Sequence, residues 1–204
     1  MKITPTFTAR TILSNFGPWI VYGLVSAAGY QGWACVCGLI ILPCQLAFRR
    51  KVSLPKIMDG ISLLFFLGGA FSILALHSSL FPRSGSALLW SALCVTAWGS
   101  LLVNSPFTAD YARESVSENL WISSGFRRVN IIVTVVWGTI FVLNALAATI
   151  LMLHHHWQSE LARTWLNVLP YVSTIFGIVF SNRFPQWASQ QRAKNNPLGP
   201  DITS

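Results

Sequence analysis

The stretch IIVTVVWGTIFVLNALAATILML, residues 131–153, decides the class of this molecule. It runs for 23 residues without a charge, and a helix crossing a bilayer needs about 20 mostly apolar residues. Working outward, five more segments read the same way. Toward the N-terminus lie 87–103, 57–76, 33–48 and 12–28; toward the C-terminus lies 164–180. The first two form one nearly continuous apolar run, interrupted only by Gly29-Tyr30-Gln31-Gly32. Two glycines there permit a tight reversal, so a hairpin of two spans is expected rather than one overlong helix. The chain is therefore expected to be all-α, a polytopic transmembrane bundle of about six spans. Residues 1–183 form a single transmembrane domain and 184–204 a flexible cytoplasmic tail.

Composition agrees. Of 204 residues, 53% are hydrophobic and only 10% charged, where a soluble domain carries about a quarter. The net charge of +8 would prompt the question of nucleic acid in a soluble protein. Here the basic residues fall in short runs between apolar segments, which is how membrane topology is written. With the N-terminus in the cytoplasm, the inner segments hold Lys2, Arg10, Arg49, Arg50, Lys51, Lys56, Arg113, Arg127, Arg128, Arg183, Arg192 and Lys194. Only Arg83 and Arg163 fall outside. That asymmetry places both termini in the cytoplasm and supports the span count, since a miscount by one would scramble it. Trp33, Trp90, Trp157 and Trp165 then sit near the outer boundary, and Trp19, Trp121 and Trp187 near the inner one, as indoles prefer. Ser26-Ala27-Ala28 resembles a signal-peptide cleavage site, but a second span follows almost at once, so the first span is expected to be retained.

Polar groups inside apolar segments are costly and therefore informative. Asn144, near the middle of the fifth span, is expected to bond across to another helix. Asp59 reads as a carboxylate at a helix start, favoured by the dipole. Asn15 and Asn167 each precede a proline by three residues and read as first-turn caps. Gly68 with Gly69, and Gly23 with Ala27, offer small faces for close helix approach. The four cysteines, Cys35, Cys37, Cys44 and Cys94, lie in apolar segments and read as buried small residues rather than as a zinc set or disulfide framework. His154, His155 and His156 are the nearest approach to a metal site. Adjacent residues on a helix point in different directions, so they read instead as a polar boundary beside Trp157. No cofactor motif is present, and an enzyme would lack its minimum kit of a paired acid, Ser–His or metal cluster.

The longest loop joins the fourth and fifth spans. In Ser105-Pro106-Phe107-Thr108-Ala109-Asp110-Tyr111-Ala112-Arg113-Glu114, serine followed by proline opens a helix. Phe107 and Tyr111 share one face, with Asp110, Glu114 and Arg113 alongside, so a short amphipathic helix on the inner membrane surface is expected. Its charges are expected to pair among themselves or with Arg127 and Arg128.

Pro106-Phe107-Thr108, Tyr111-Ala112-Arg113-Glu114, Trp121, Phe126, Asn130, Thr134 and Trp137-Gly138 resemble a signature of uncharacterised bacterial integral membrane proteins. The layout is also similar, more distantly, to the intracellular septation protein A family. Pro106, Trp121, Asn130, Trp137 and Asn144 are the matching positions; the stretch between Trp121 and Asn130 is longer here. The resemblance implies a bacterial inner-membrane protein, not an enzyme, that serves envelope maintenance or division through partner proteins in the bilayer. The alternative is a small-solute or ion transporter or channel subunit, supported by Asn144 and the small faces and opposed by the lack of a paired intramembrane charge. Homo-oligomerisation is compatible with both.

Overall fold

The computed structural model describes residues 9–48, 57–113, 116–154 and 159–195. Among them there are helices and turns and no strands. The helices are α1 (Ala9–Ala27), α2 (Gln31–Phe48), α3 (Ile57–Ala70), α4 (Leu80–Leu102), α5 (Phe107–Ala112), α6 (Ser124–Leu153) and α7 (Glu160–Asn195). Four helical stretches, Ile57–Ala75, Leu80–Leu102, Ser124–Leu153 and Glu160–Gln191, are long and apolar enough to cross a membrane. The chain is thus an all-helical protein built for a membrane.

Helix α1 packs on α2, α2 on α3, α4 on α6 and α6 on α7. The α1–α2 reversal is made at Gly29, whose φ of +90° a side chain would strain. Its N–H bonds the Ser26 carbonyl at 3.0 Å and the Tyr30 N–H bonds that of Val25 at 3.2 Å, a paired closure that satisfies the last carbonyls of α1. Gly32, expected to share the turn, already lies inside α2. At its far end α3 widens into one π-helical turn, Phe71–Ala75, closed by the Leu76 N–H on the Phe71 carbonyl at 3.2 Å.

Several boundaries differ from the expected ones for a common reason. Helix α4 starts at Leu80, seven residues early, because Pro82 falls in a first turn whose N–H groups have no helical partner anyway. Helix α6 starts at Ser124, where the Ser123 hydroxyl accepts from the Phe126 N–H at 3.2 Å. Helix α7 runs on to Asn195, so the tail expected to be flexible from 184 is helical over 184–195. Phe180, Phe184 and Trp187 stack along one face of α7 at 5.0 and 5.9 Å and carry the helix past Pro185. Pro18 and Pro170 also lie inside helices, so Asn15 and Asn167 are not first-turn caps. The Asn167 amide bonds back to the Arg163 carbonyl at 2.8 Å instead.

Two packed regions result. In the first, Trp19 and Tyr22 of α1 meet Phe65 and Phe66 of α3, with ring centroids 4.7 to 5.7 Å apart, and Phe81 of α4 closes on Phe65 at 5.1 Å. Gly69 makes this possible: a Cβ there would stand 2.5 Å from the Phe81 ring and 2.6 Å from Cys35 Sγ. Its neighbour Gly68 meets nothing within 4 Å, so the expected small face of α3 reduces to Gly69, and Gly23 of α1 likewise meets no neighbour. Cys35 is buried as expected, whereas Cys44 is exposed. In the second region Leu93 and Ala97 of α4, Phe107 of α5, and Ile140 and Phe141 of α6 form a buried cluster. Helix α7 packs along α6 and leaves most of its own apolar side chains exposed.

Candidate functional site

Of the nine candidate residues, Phe107, Tyr111, Asn130, Trp137 and Asn144 lie on α5 and α6, and Pro106, Arg113 and Trp121 lie in the segments that flank them. The chain leaves α4 through Asn104, which takes a left-handed φ of +56° that asparagine tolerates better than most residues. It then folds back on the end of α4. The Ser105 N–H bonds the Ser100 carbonyl at 2.9 Å, and the Phe107 N–H bonds the Ser100 hydroxyl at 3.1 Å. That hydroxyl donates in turn to the Ala97 carbonyl at 2.7 Å. The cap of α5 is therefore Ser100, seven residues back, and not the expected Ser105, whose own N–H is turned toward α4.

Phe107 and Tyr111 do share a face, meeting edge to face at 6.4 Å. The face is turned into the protein. Phe107 reaches Phe141 at 6.3 Å, and Tyr111 packs against the same cluster. Thr108 and Ala109 are buried as well. A helix floating on a surface buries one stripe; α5 instead sits in the crevice between α4 and α6. The physical reason lies in Thr108. Its hydroxyl donates to the Asn130 carbonyl at 3.0 Å and lies 2.8 Å from the Thr134 hydroxyl, which is wholly buried. With its own proton spent on the carbonyl, Thr108 accepts from Thr134, and both hydroxyls are satisfied. Asn130 uses its amide on the Phe126 carbonyl at 2.9 Å.

Beside α5 a cavity of about 90 Å³ opens at the polar end of this region. It is lined by Asn104, Ser105, Pro106, Ala109, Arg113, Trp121, Phe126, Arg127 and Asn130, and thus unites Pro106, Arg113, Trp121 and Asn130 of the sequence candidates. Its rim is braced. Arg113 Nη1 donates to Asp110 at 3.1 Å, as expected of charges pairing within the helix, and its guanidinium lies 5.8 Å from the Trp121 ring centre. The Trp121 indole donates to the Val116 carbonyl at 3.1 Å, and Arg127 donates to the Asn104 side-chain oxygen at 3.2 Å. Both ion and amide contacts are exposed, so each stabilises little by itself and acts by orienting the guanidinium.

Trp137 and Asn144 lie elsewhere, on the α7 side of α6. The Trp137 indole donates to the Ser181 hydroxyl at 2.9 Å. Asn144, fully buried, has Oδ1 3.0 Å from the Ser173 hydroxyl, which also lies 3.2 Å from the Pro170 carbonyl. One hydroxyl proton cannot serve both acceptors. With the amide turned over, Asn144 donates to Ser173 and Ser173 to Pro170, and only the amide oxygen is left over. As expected, Asn144 joins two helices. Glu114, His155 and His156 lie outside the described residues; His154 caps the end of α6, exposed. Among the described residues no three His, Cys, Asp or Glu side chains gather as a metal site.

Sequence reasoning missed Ser100, Asn104, Ser173 and Ser181. Asn104-Ser105-Pro106 carries a turn signal that marks Asn104. The serines carry none, because a serine in an apolar helix most often bonds its own backbone. No protein-family model, no curated protein and no solved structure matches the chain, so the reading of this site rests on its own geometry.

Proposed function

We propose that the chain is a six-span protein of the bacterial inner membrane, with both termini in the cytoplasm, that works without catalysis as a docking platform for other envelope or division proteins. Helices α1 and α2, with 19 and 18 residues, are about 27 to 29 Å long at 1.5 Å per residue and, taken with the four stretches named above, make six spans. The distribution of basic residues supplies the orientation. The observation that carries the platform reading is the braced rim. Helix α5 spends its apolar face on α4 and α6, and around the cavity Asn104, Arg113, Trp121 and Arg127 are held in fixed positions at the surface. A segment with no outward role gains nothing from bracing its exposed side chains.

The test is a chromosomal deletion imaged for cell shape and division at low and high osmolarity. It is complemented with wild type, Arg113→Glu/Trp121→Ala and Asn144→Leu. Filamenting or lysing cells rescued by wild type and Asn144→Leu, but not by the rim variant, are the expected result. Phe107 is unsuitable for this purpose, since its loss opens the core.

A solute carrier is the second reading, and one observation favours it. Whichever way the Asn144 amide is turned, one of its polar atoms is buried between α6 and α7 without a protein partner. Normal cell shape with altered tolerance of one solute, abolished by Asn144→Leu, would replace the platform by the carrier.

A further inference from the structure

We propose that the cavity between the end of α4, α5 and the first turns of α6 binds a phosphate group, presented as the headgroup of an anionic phospholipid. The inference rests on the six-span reading above for the depth of the cavity, and its chemistry is read from the lining.

Among the described residues lining the cavity two are charged, Arg113 and Arg127, and both are cations. A guanidinium carries five N–H donors in a fixed fork that suits phosphate oxygens. The braces use one donor on each: Arg113 toward Asp110 and Arg127 toward Asn104. Asp110 is outside the lining, so it aims Arg113 without filling the site. Ser105 lines the same space, and Pro106, Ala109, Trp121 and Phe126 complete the lining. A cavity of about 90 Å³ has room for a phosphate and its nearest water.

What points to a lipid rather than a free phosphate is the flank of the site. Leu102 and Val103, next to Asn104, are 84% and 70% exposed, and Ile122, next to Trp121, is 93% exposed. Three large aliphatic side chains stand open beside two arginines and an indole. In water such an arrangement is unfavourable. At the boundary of a bilayer it is the expected one: aliphatics meet acyl chains, the indole sits at the interface, and the guanidinia meet headgroups. Anionic lipids on the cytoplasmic face attract basic groups at that depth.

The test uses purified full-length protein in a neutral detergent, titrated with dioctanoyl phosphatidylglycerol, with dioctanoylglycerol lacking the phosphate, and with inorganic phosphate. Phosphatidylglycerol is expected to raise the melting midpoint by several degrees at concentrations where the other two do nothing. Arg113→Gln and Arg127→Gln are each expected to weaken its binding about tenfold, the loss of one charged hydrogen bond, and Arg→Lys at each position to recover part of it. Arg128→Gln, on an exposed residue outside the lining, leaves binding unchanged. Should Arg113→Gln disturb folding, Ile122→Asn serves instead, since so exposed a side chain contributes no packing; it is expected to weaken the lipid several-fold. Equal stabilisation by inorganic phosphate would reassign the site to a free anion and overturn the lipid source. Equal stabilisation by dioctanoylglycerol, or undiminished binding in the Arg127→Gln variant, would overturn the phosphate site altogether. None of these readouts depends on a partner protein or a cell phenotype, so a failed lipid assay and a failed platform assay are separate results.

Discussion

The two packed regions of this molecule are held by different physics. Where α1, α2 and α3 meet, Trp19, Tyr22, Phe65, Phe66 and Phe81 interlock as rings, and the Trp19 indole donates across to the Ser62 hydroxyl at 3.0 Å. Where α4, α5, α6 and α7 meet, the helices are pinned by Ser100 to Phe107, Thr108 to Thr134 and Asn130, Trp137 to Ser181 and Asn144 to Ser173. Lipid tails are as apolar as a leucine, so burial of apolar surface does little to drive helices together in a bilayer. What remains is shape and hydrogen bonding. The ring-packed region uses shape, and any well-filled alternative would serve it. The pinned region uses directional bonds, which fix one register between helices. Register matters most where a particular set of side chains must be aimed, and that is the region carrying the braced cavity.

Substitutions separate the two. Phe66→Ala, at a fully buried ring, is expected to cost about 3 to 4 kcal/mol in a reversible unfolding titration, because it opens a cavity that its neighbours cannot collapse into. A cost below about 1 kcal/mol would show that the aromatic region is loosely filled and that the contrast drawn here is false. Asn144→Leu is expected to cost roughly 0.6 to 1.7 kcal/mol, the range of interhelical hydrogen bonds in membranes. Its loss should free α7 first, seen as faster amide exchange in 164–180 than in 57–75. Smaller still, Thr108→Val and Thr134→Val in a double-mutant cycle should couple by about 0.5 to 1 kcal/mol, with Thr108 and Phe66 as an uncoupled control pair. Trp19→Phe, which removes the bridge to Ser62 while keeping an aromatic, is expected to cost about 0.5 kcal/mol or less.

The apolar periodicity of the sequence marked every long helix, because a run such as 131–153 admits little else. It could not mark their ends. Ser123 and Pro82 act through local backbone geometry, and the extension of α7 past Pro185 depends on Phe180, Phe184 and Trp187 stacking on one face. The cluster from Pro106 to Asn130 was visible as a set of residue types; its arrangement was not. Phe107 and Tyr111 show the pattern of a surface helix, and only the position of Thr108 opposite Thr134 turns that face inward. Hydrophobic pattern tells which side of a helix avoids water, and it is silent on whether lipid or protein takes water's place. The same ambiguity hid Ser173 and Ser181, whose partners lie on a different helix.

Helix α7 has one substantial neighbour, α6, and is held there by two side-chain bridges. A ribosome makes it after α1 to α6. By the time it emerges, those helices can already have found one another, so α7 has a formed surface to join and few wrong ones to choose from. Trp137 and Asn144 then work as receptors for a later arrival, and a chain with both replaced should be inserted in full, with α7 left wandering in the lipid and open to proteases.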